Sequence, residues 1–137
     1  MTAAYTTTAT AEGGRDGRAA LTEGGLALAF AIPKEMGGAG NGSNPEQLFA
    51  LGYAACFNSA LLFVARAKKV DVSKAKVTAQ IGIGPKAGGG FQLEAALKVH
   101  IPGVPTDEAK ALVDAAHQVC PYSNATRGNM PVSLDII

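Results

Sequence analysis

Two cysteines, Cys56 and Cys120, are the side chains of this 137-residue chain best suited to nucleophilic or redox chemistry. They stand 64 residues apart, which excludes a thioredoxin-type CxxC pair and any compact zinc knuckle. The chain carries two imidazoles, His100 and His117. A zinc site made of both cysteines and both histidines is arithmetically possible, but no local ligand pair supports it. His100 falls on the polar face of a strand pattern and His117 off the apolar stripe of a helix pattern, so both read as surface histidines. A free cysteine is often only a small buried hydrophobe, and reactivity asks for an electropositive setting. Desolvation alone raises a thiol's pKa, so a reactive thiolate here needs a cation beside it. Arg15, in the glycine-rich turn Gly13-Gly14-Arg15-Asp16-Gly17, is the candidate, because a guanidinium stays charged and can bridge two anionic groups. Glu46 could hold that guanidinium through a bidentate pair. The plain alternatives are core-filling cysteines, a solvated turn arginine and a helix-start glutamate.

The element that must position Cys56 runs from Asn44 to Ala65. Ser43 or Asn44 can cap it, Pro45 suits a first helical turn, and Glu46 sits where the helix dipole favours negative charge. From Leu48 to Ala65 almost every residue is apolar or small, which predicts a helix buried all round. Strands are predicted over 5–11, 19–22 and 26–32, followed by a glycine-rich loop over 34–43. Alternation over 77–83 and 91–101 predicts an antiparallel hairpin. Thr106 reads as the cap of a second helix, whose stripe Ala109, Leu112, Val113, Ala116, Val119 and Cys120 ends at Pro121. A polar loop over 122–129 and a last strand over 132–137 complete the chain. Strands joined as hairpins make the class α+β with largely antiparallel sheet around a buried central helix. The length suits one domain, residues 1–137. One small sheet cannot cover such a helix on all sides, so a second subunit is expected to complete the core.

Charged residues are 17% of the chain, below the usual value of about 25%, which also suggests a surface hidden by a partner. The net charge is +1 and no basic cluster exceeds Lys68-Lys69, so nucleic acid is not an expected partner. The apolar helix approaches the roughly 20 residues needed to span a bilayer. Asn58 and Ser59 interrupt it, and Glu46 and Arg66 bracket it, so no membrane is expected. Met1 to Thr10 lacks a basic region followed by an apolar run, which argues against a secretory signal and for the cytoplasm. Two cysteines in a reducing compartment do not make a structural staple.

Four stretches taken together carry a resemblance: Gly13-Gly14-Arg15-Asp16-Gly17, Asn44-Pro45-Glu46-Gln47-Leu48-Phe49, Gly52-Tyr53-Ala54-Ala55-Cys56-Phe57, and Val119-Cys120-Pro121-Tyr122-Ser123-Asn124-Ala125-Thr126-Arg127-Gly128-Asn129. In this order they resemble the organic hydroperoxide resistance family of the OsmC superfamily, over essentially the whole chain. The resemblance implies an OsmC-like fold in an intertwined homodimer, with two active sites at the subunit interface. It implies a cytosolic thiol peroxidase acting on organic, lipid-type hydroperoxides in oxidative stress defence. No metal, haem or flavin is implied; the external reductant would be a dihydrolipoyl group on a lipoylated protein. Position by position, Cys56 matches the peroxidatic cysteine, Cys120 the resolving one, Arg15 the activating cation and Glu46 the carboxylate that orients it. The position after Phe57, often His in relatives, is Asn58 here. The sister OsmC branch shares the cysteines and stays open as an alternative, as does a non-catalytic dimer that binds apolar ligands. Phe57, Met36 and Leu48 are candidates to line a pocket for the organic group. The peroxidase reading expects a Cys56 pKa well below the ordinary value of about 8.5.

One spacing resists a simple picture. Glu46 and Cys56 are ten residues apart, and an unbroken helix rises about 15 Å over that length. Either the helix breaks near Gly52-Tyr53, or Glu46 and Arg15 act on a cysteine of another subunit.

Overall fold

Alanine, threonine and glycine dominate the N-terminal third, and the strands they make are short. The structure, a computed structural model, describes Met1 to Ile137 throughout and divides into two compact units, Met1–Leu48 and Phe49–Ile137. In the first unit β1 (Ala9–Glu12), β2 (Arg18–Leu21) and β3 (Ala27–Ala29) pair antiparallel in the order β1-β2-β3. The strands expected over 5–11 and 26–32 both shrink. β1 starts only at Ala9, and the chain leaves β3 at Phe30, which bridges instead to Ser43. Pro33 then opens a single 3-10 turn, Lys34–Met36, inside the expected loop.

The long helix α1 (Pro45–Ala67) has no break at Gly52. Its start is a reciprocal cap: Asn44 Oδ1 accepts the Gln47 N–H at 2.8 Å, and Gln47 Oε1 accepts the Asn44 N–H at 3.1 Å. Pro45 takes the first position, where no N–H is needed. By length and composition alone α1 could cross a membrane. It is not buried all round, as its composition suggests. Tyr53, Phe57, Ala60, Leu61, Val64 and Ala65 are buried, while Leu51 and Phe63 are 68% and 66% exposed. A three-stranded sheet and one further long helix cover a single face of α1, and the rest of its apolar surface is left open.

That sheet belongs to the second unit. β4 (Lys76–Pro85) and β5 (Phe91–His100) form the expected hairpin, with Lys76 opposite His100 and Pro85 opposite Phe91. β6 (Val132–Ile136) runs parallel to β5 on its other edge, so the sheet order is β4-β5-β6 and one of its two pairings is parallel. Leu97 and Val99 of β5 and Leu112, Val113 and Ala116 of α2 (Thr106–Val119) share one core with Tyr53, Phe57 and Leu61 of α1. Thr106 lies within α2 rather than capping it, and Pro105 holds the cap position. The polar loop expected over 122–129 opens instead as a third helix, α3 (Pro121–Thr126). Pro121 both ends one helix and starts another. A residue before proline is pushed to extended backbone, and Cys120 has φ −64° and ψ 121°; proline itself is preorganised for a helix's first position.

Candidate active site

Cys120 is the single residue between two helices. Its N–H donates to the Ala116 carbonyl at 2.9 Å and completes α2, while its carbonyl accepts the Asn124 N–H at 2.9 Å and begins α3. Its side chain is fully buried and points at α1, where Cys56 is half-buried. The two free thiols lie 3.4 Å apart, sulfur to sulfur, so the sequence-distant cysteines do meet. A disulfide is about 2.0 Å long, so bonding needs them to approach by roughly 1.4 Å. Burial is the largest influence on Cys56 and pushes its thiol up. The backbone N–H of Tyr122 opposes the rise, and neighbouring Cys120 adds to it. The low thiol pKa expected for a peroxidase is therefore not set up by the surroundings of Cys56 in its own unit.

Around this pair lie polar side chains that sequence reasoning passed over. The Tyr53 hydroxyl, one turn before Cys56, is 2.9 Å from Ser123 Oγ and 3.0 Å from Thr126 Oγ1, all within the core. Tyr122 packs edge-on against Phe49 and tilted against Tyr53, with centroids 5.9 and 5.8 Å apart. Gly52 makes that seat possible, since a Cβ there would come within 2.7 Å of the Tyr122 hydroxyl. Arg127 donates to Asn124 Oδ1 at 2.8 Å and to the His117 carbonyl, bracing α3 against the last turn of α2. His117 departs from its expected surface setting. Its Nδ1 is buried without a partner, and burial followed by the Arg127 charge pushes its pKa down. His100 is exposed, with Nδ1 2.9 Å from the Ile137 carbonyl. No three His, Cys, Asp or Glu side chains gather as a metal set. Phe57 is fully buried in the core and so cannot line an open pocket; Met36 is exposed and Leu48 half-buried.

Arg15 and Glu46 meet in the first unit. The turn carrying Arg15 is a 3-10 segment, Gly14–Asp16, and Gly17 closes it, its N–H donating to the Gly14 carbonyl at 3.1 Å. A Cβ on Gly17 would fall 1.9 Å from the Glu12 carbonyl oxygen, so only glycine allows the chain to turn this tightly. Asp16 anchors the turn by accepting the Ile32 N–H at 3.1 Å. Arg15 then reaches Glu46 at the start of α1 as a parallel fork, Nη1 to Oε2 at 2.8 Å and Nη2 to Oε1 at 2.7 Å. The arginine side chain is 32% exposed and the glutamate 14%. The bond to Arg15 holds the Glu46 carboxyl below the usual glutamate range, and the bond to Glu46 raises the guanidinium. A bidentate pair fixes the plane of the guanidinium and leaves its outer N–H edge available to a second anion.

Residues 38–135 match the family model described as OsmC-like protein. An organic hydroperoxide resistance protein of Xanthomonas axonopodis pv. citri is 48% identical over 134 residues, 96% of this chain and 94% of that one. The Bacillus subtilis organic hydroperoxide resistance protein OhrA is 44% identical, over 96% and 95% of the two chains. Among solved structures, an organic hydroperoxide resistance protein of Legionella pneumophila superposes with a TM-score of 0.95. It is 49% identical and covers 98% of each chain.

Proposed function

The chain belongs to the OsmC-like family, in its organic hydroperoxide resistance branch, and from that premise we propose that it is a cysteine peroxidase that reduces organic hydroperoxides to alcohols. The observation that carries the reading is the pair of free thiols 3.4 Å apart, one half-exposed and one buried. The Cys56 thiolate attacks the distal oxygen of ROOH. The O–O bond breaks, the leaving alkoxide takes a proton and departs as ROH, and Cys56 becomes a sulfenic acid. The Cys120 sulfur then attacks the Cys56 sulfur, a disulfide forms, and the hydroxyl leaves with the Cys120 proton as water. A dihydrolipoyl dithiol on a lipoylated protein reopens that disulfide by two exchanges and is itself oxidised to the cyclic disulfide.

Cys56 is raised by burial, so its thiolate needs a cation. We assign that role to Arg15, oriented by Glu46. Because α1 is unbroken, ten residues of helix, about 15 Å, separate Glu46 from Cys56 along the axis. We take the pair to serve the Cys56 of a second copy of the chain. A homodimer also gives cover to the open apolar side of α1, where Leu51, Leu62 and Phe63 stand exposed. With that face covered, α1 is a core helix of a cytoplasmic protein and not a membrane span.

The test is a single turnover of the reduced protein with stoichiometric cumene hydroperoxide, read by intact mass and free-thiol count. Both thiols should disappear with a loss of about 2 Da and no added oxygen, and dihydrolipoamide should restore them. In Cys120→Ser the same treatment should add about 16 Da, the sulfenic acid, or further oxygens. Thiols that stay reduced in the wild-type protein refute the peroxidase.

A further inference from the structure

Tyr53, Ser123 and Thr126 form a closed ring of hydroxyl hydrogen bonds whose protons can be placed one by one. The Thr126 hydroxyl donates to the Ser123 carbonyl at 3.2 Å, which uses its only proton. Across the 3.0 Å contact with Thr126 the donor must then be Tyr53. Across the 2.9 Å contact with Ser123, Tyr53 has no proton left to give, so Ser123 donates. The chain of donation runs Ser123 hydroxyl, Tyr53 hydroxyl, Thr126 hydroxyl, Ser123 carbonyl. Each proton is used once, and every group lies in the core.

This ring joins α1 to α3 close to the thiols, which join α1 to the residue that opens α3. Tyr53 precedes Cys56 by three residues on α1, and Ser123 follows Cys120 by three. Tyr53 and Cys56 share a face of α1, and Cys120 is the cap residue of the helix that carries Ser123, so the oxygen contact and the sulfur contact are neighbouring links between α1 and the start of α3. α3 has six residues, too few to hold a helix or its placement by itself. Apolar packing would bury it without fixing its slide or rotation. Directional bonds fix both, and the gap the sulfurs must close is only about 1.4 Å.

We propose that Tyr53, Ser123 and Thr126 are positioning residues that hold Cys120 in reach of the oxidised Cys56, and so decide whether Cys56 sulfenic acid is captured as a disulfide or oxidised further. The inference rests on the peroxidase reading above. The chemistry at stake is a competition. Either Cys120 displaces hydroxide from the sulfenic sulfur, with loss of water, or a second hydroperoxide transfers its distal oxygen to that sulfur, giving sulfinic acid and a second alcohol.

Tyr53→Phe keeps the ring and its aromatic neighbours but removes two of the three bonds; Thr126→Val does the same from α3, and Thr126→Ser restores the hydroxyl. Reduced proteins are mixed with rising multiples of cumene hydroperoxide, and disulfide and sulfinic acid are counted by intact mass. Tyr53→Phe and Thr126→Val should reach half sulfinic acid at a peroxide concentration lower by on the order of tenfold, with Thr126→Ser close to wild type. A merely structural role lowers the melting temperature without moving this branching. If Tyr53→Phe does not fold, the Val against Ser contrast at Thr126 carries the same test. Unchanged branching in a folded variant overturns the inference and leaves the peroxidase standing. A wild-type protein that forms no disulfide overturns the peroxidase itself.

Discussion

Complementation between two impaired variants tests the proposed two-chain site most directly. In Arg15→Ala the Cys56 thiol keeps its burial but loses its proposed cation. A nearby guanidinium lowers an acid's pKa by about 1–3 units, so at neutral pH the thiolate population, and the rate of peroxide consumption, should fall on the order of a hundredfold. Cys56→Ser has no nucleophile and should be inactive. If Arg15 of one chain serves Cys56 of the other, a heterodimer of the two variants contains one intact site and one doubly damaged one. Random assembly from equal amounts makes half of all dimers mixed, so the mixture should recover roughly a quarter of wild-type activity per chain. The chains are co-expressed, the mixed species is confirmed by native mass spectrometry, and consumption of cumene hydroperoxide is followed with dihydrolipoamide as reductant. Glu46 and Cys56 are ten residues apart on α1, which runs from Pro45 to Ala67, and the fork ties Arg15 to Glu46. Confirmed heterodimers with no more activity than the two parents would refute the two-chain site, because a site completed within one chain gains nothing from mixing.

Two further outcomes follow from the same geometry. Glu46 has its folded pKa depressed by Arg15, so the pair contributes stability above the unfolded glutamate pKa of about 4.3, and that contribution is lost as pH falls through the lower folded value. Melting temperatures of wild type and Glu46→Gln should therefore converge as pH falls below about 4.3, and a constant offset would show that the charge pair does not shape acid stability. Phe63→Glu removes an aromatic side chain of about 200 Å² that is 66% exposed in one chain. Covering that area is worth about 3 kcal/mol per copy at about 25 cal/mol per Å², so two copies should weaken a dimer by about four orders of magnitude in sedimentation equilibrium. Unchanged self-association would place the interface away from this face of α1.

Elements with strong periodicity were legible in the sequence. The β4-β5 hairpin and α2 each announce one buried face, and the core contains Leu97, Val99, Leu112, Val113 and Ala116 as their patterns require. The Asn44–Gln47 cap was legible too, since its chemistry is local. The short strands of the first unit were not: alanine, threonine and glycine give no contrast between faces, so their ends fall where turns and bridges decide. α3 is not legible, because the polar composition of Tyr122 to Asn129 reads as loop. The signal lay in Pro121, which breaks a helix only by forcing extended backbone on the residue before it and is itself a good first residue of the next.

The composition of α1 raised a question that a single chain cannot answer. A helix apolar on all sides must be covered on all sides, yet one chain buries only the stripe through Tyr53, Phe57, Leu61 and Val64. The chemistry is divided in the same way. The first unit carries a cation held by a carboxylate, and the second carries a thiol that burial makes harder to ionise. An uncovered face and a thiol without a cation are two deficits of one helix, and both are met if the same second chain supplies the cover and the arginine. Weakening the α1 interface should then reduce peroxide consumption in proportion to the loss of dimer, even when the substituted residue, such as Phe63, touches no substrate. Monomers that keep full activity per thiol would break that link and require a cation from within the chain.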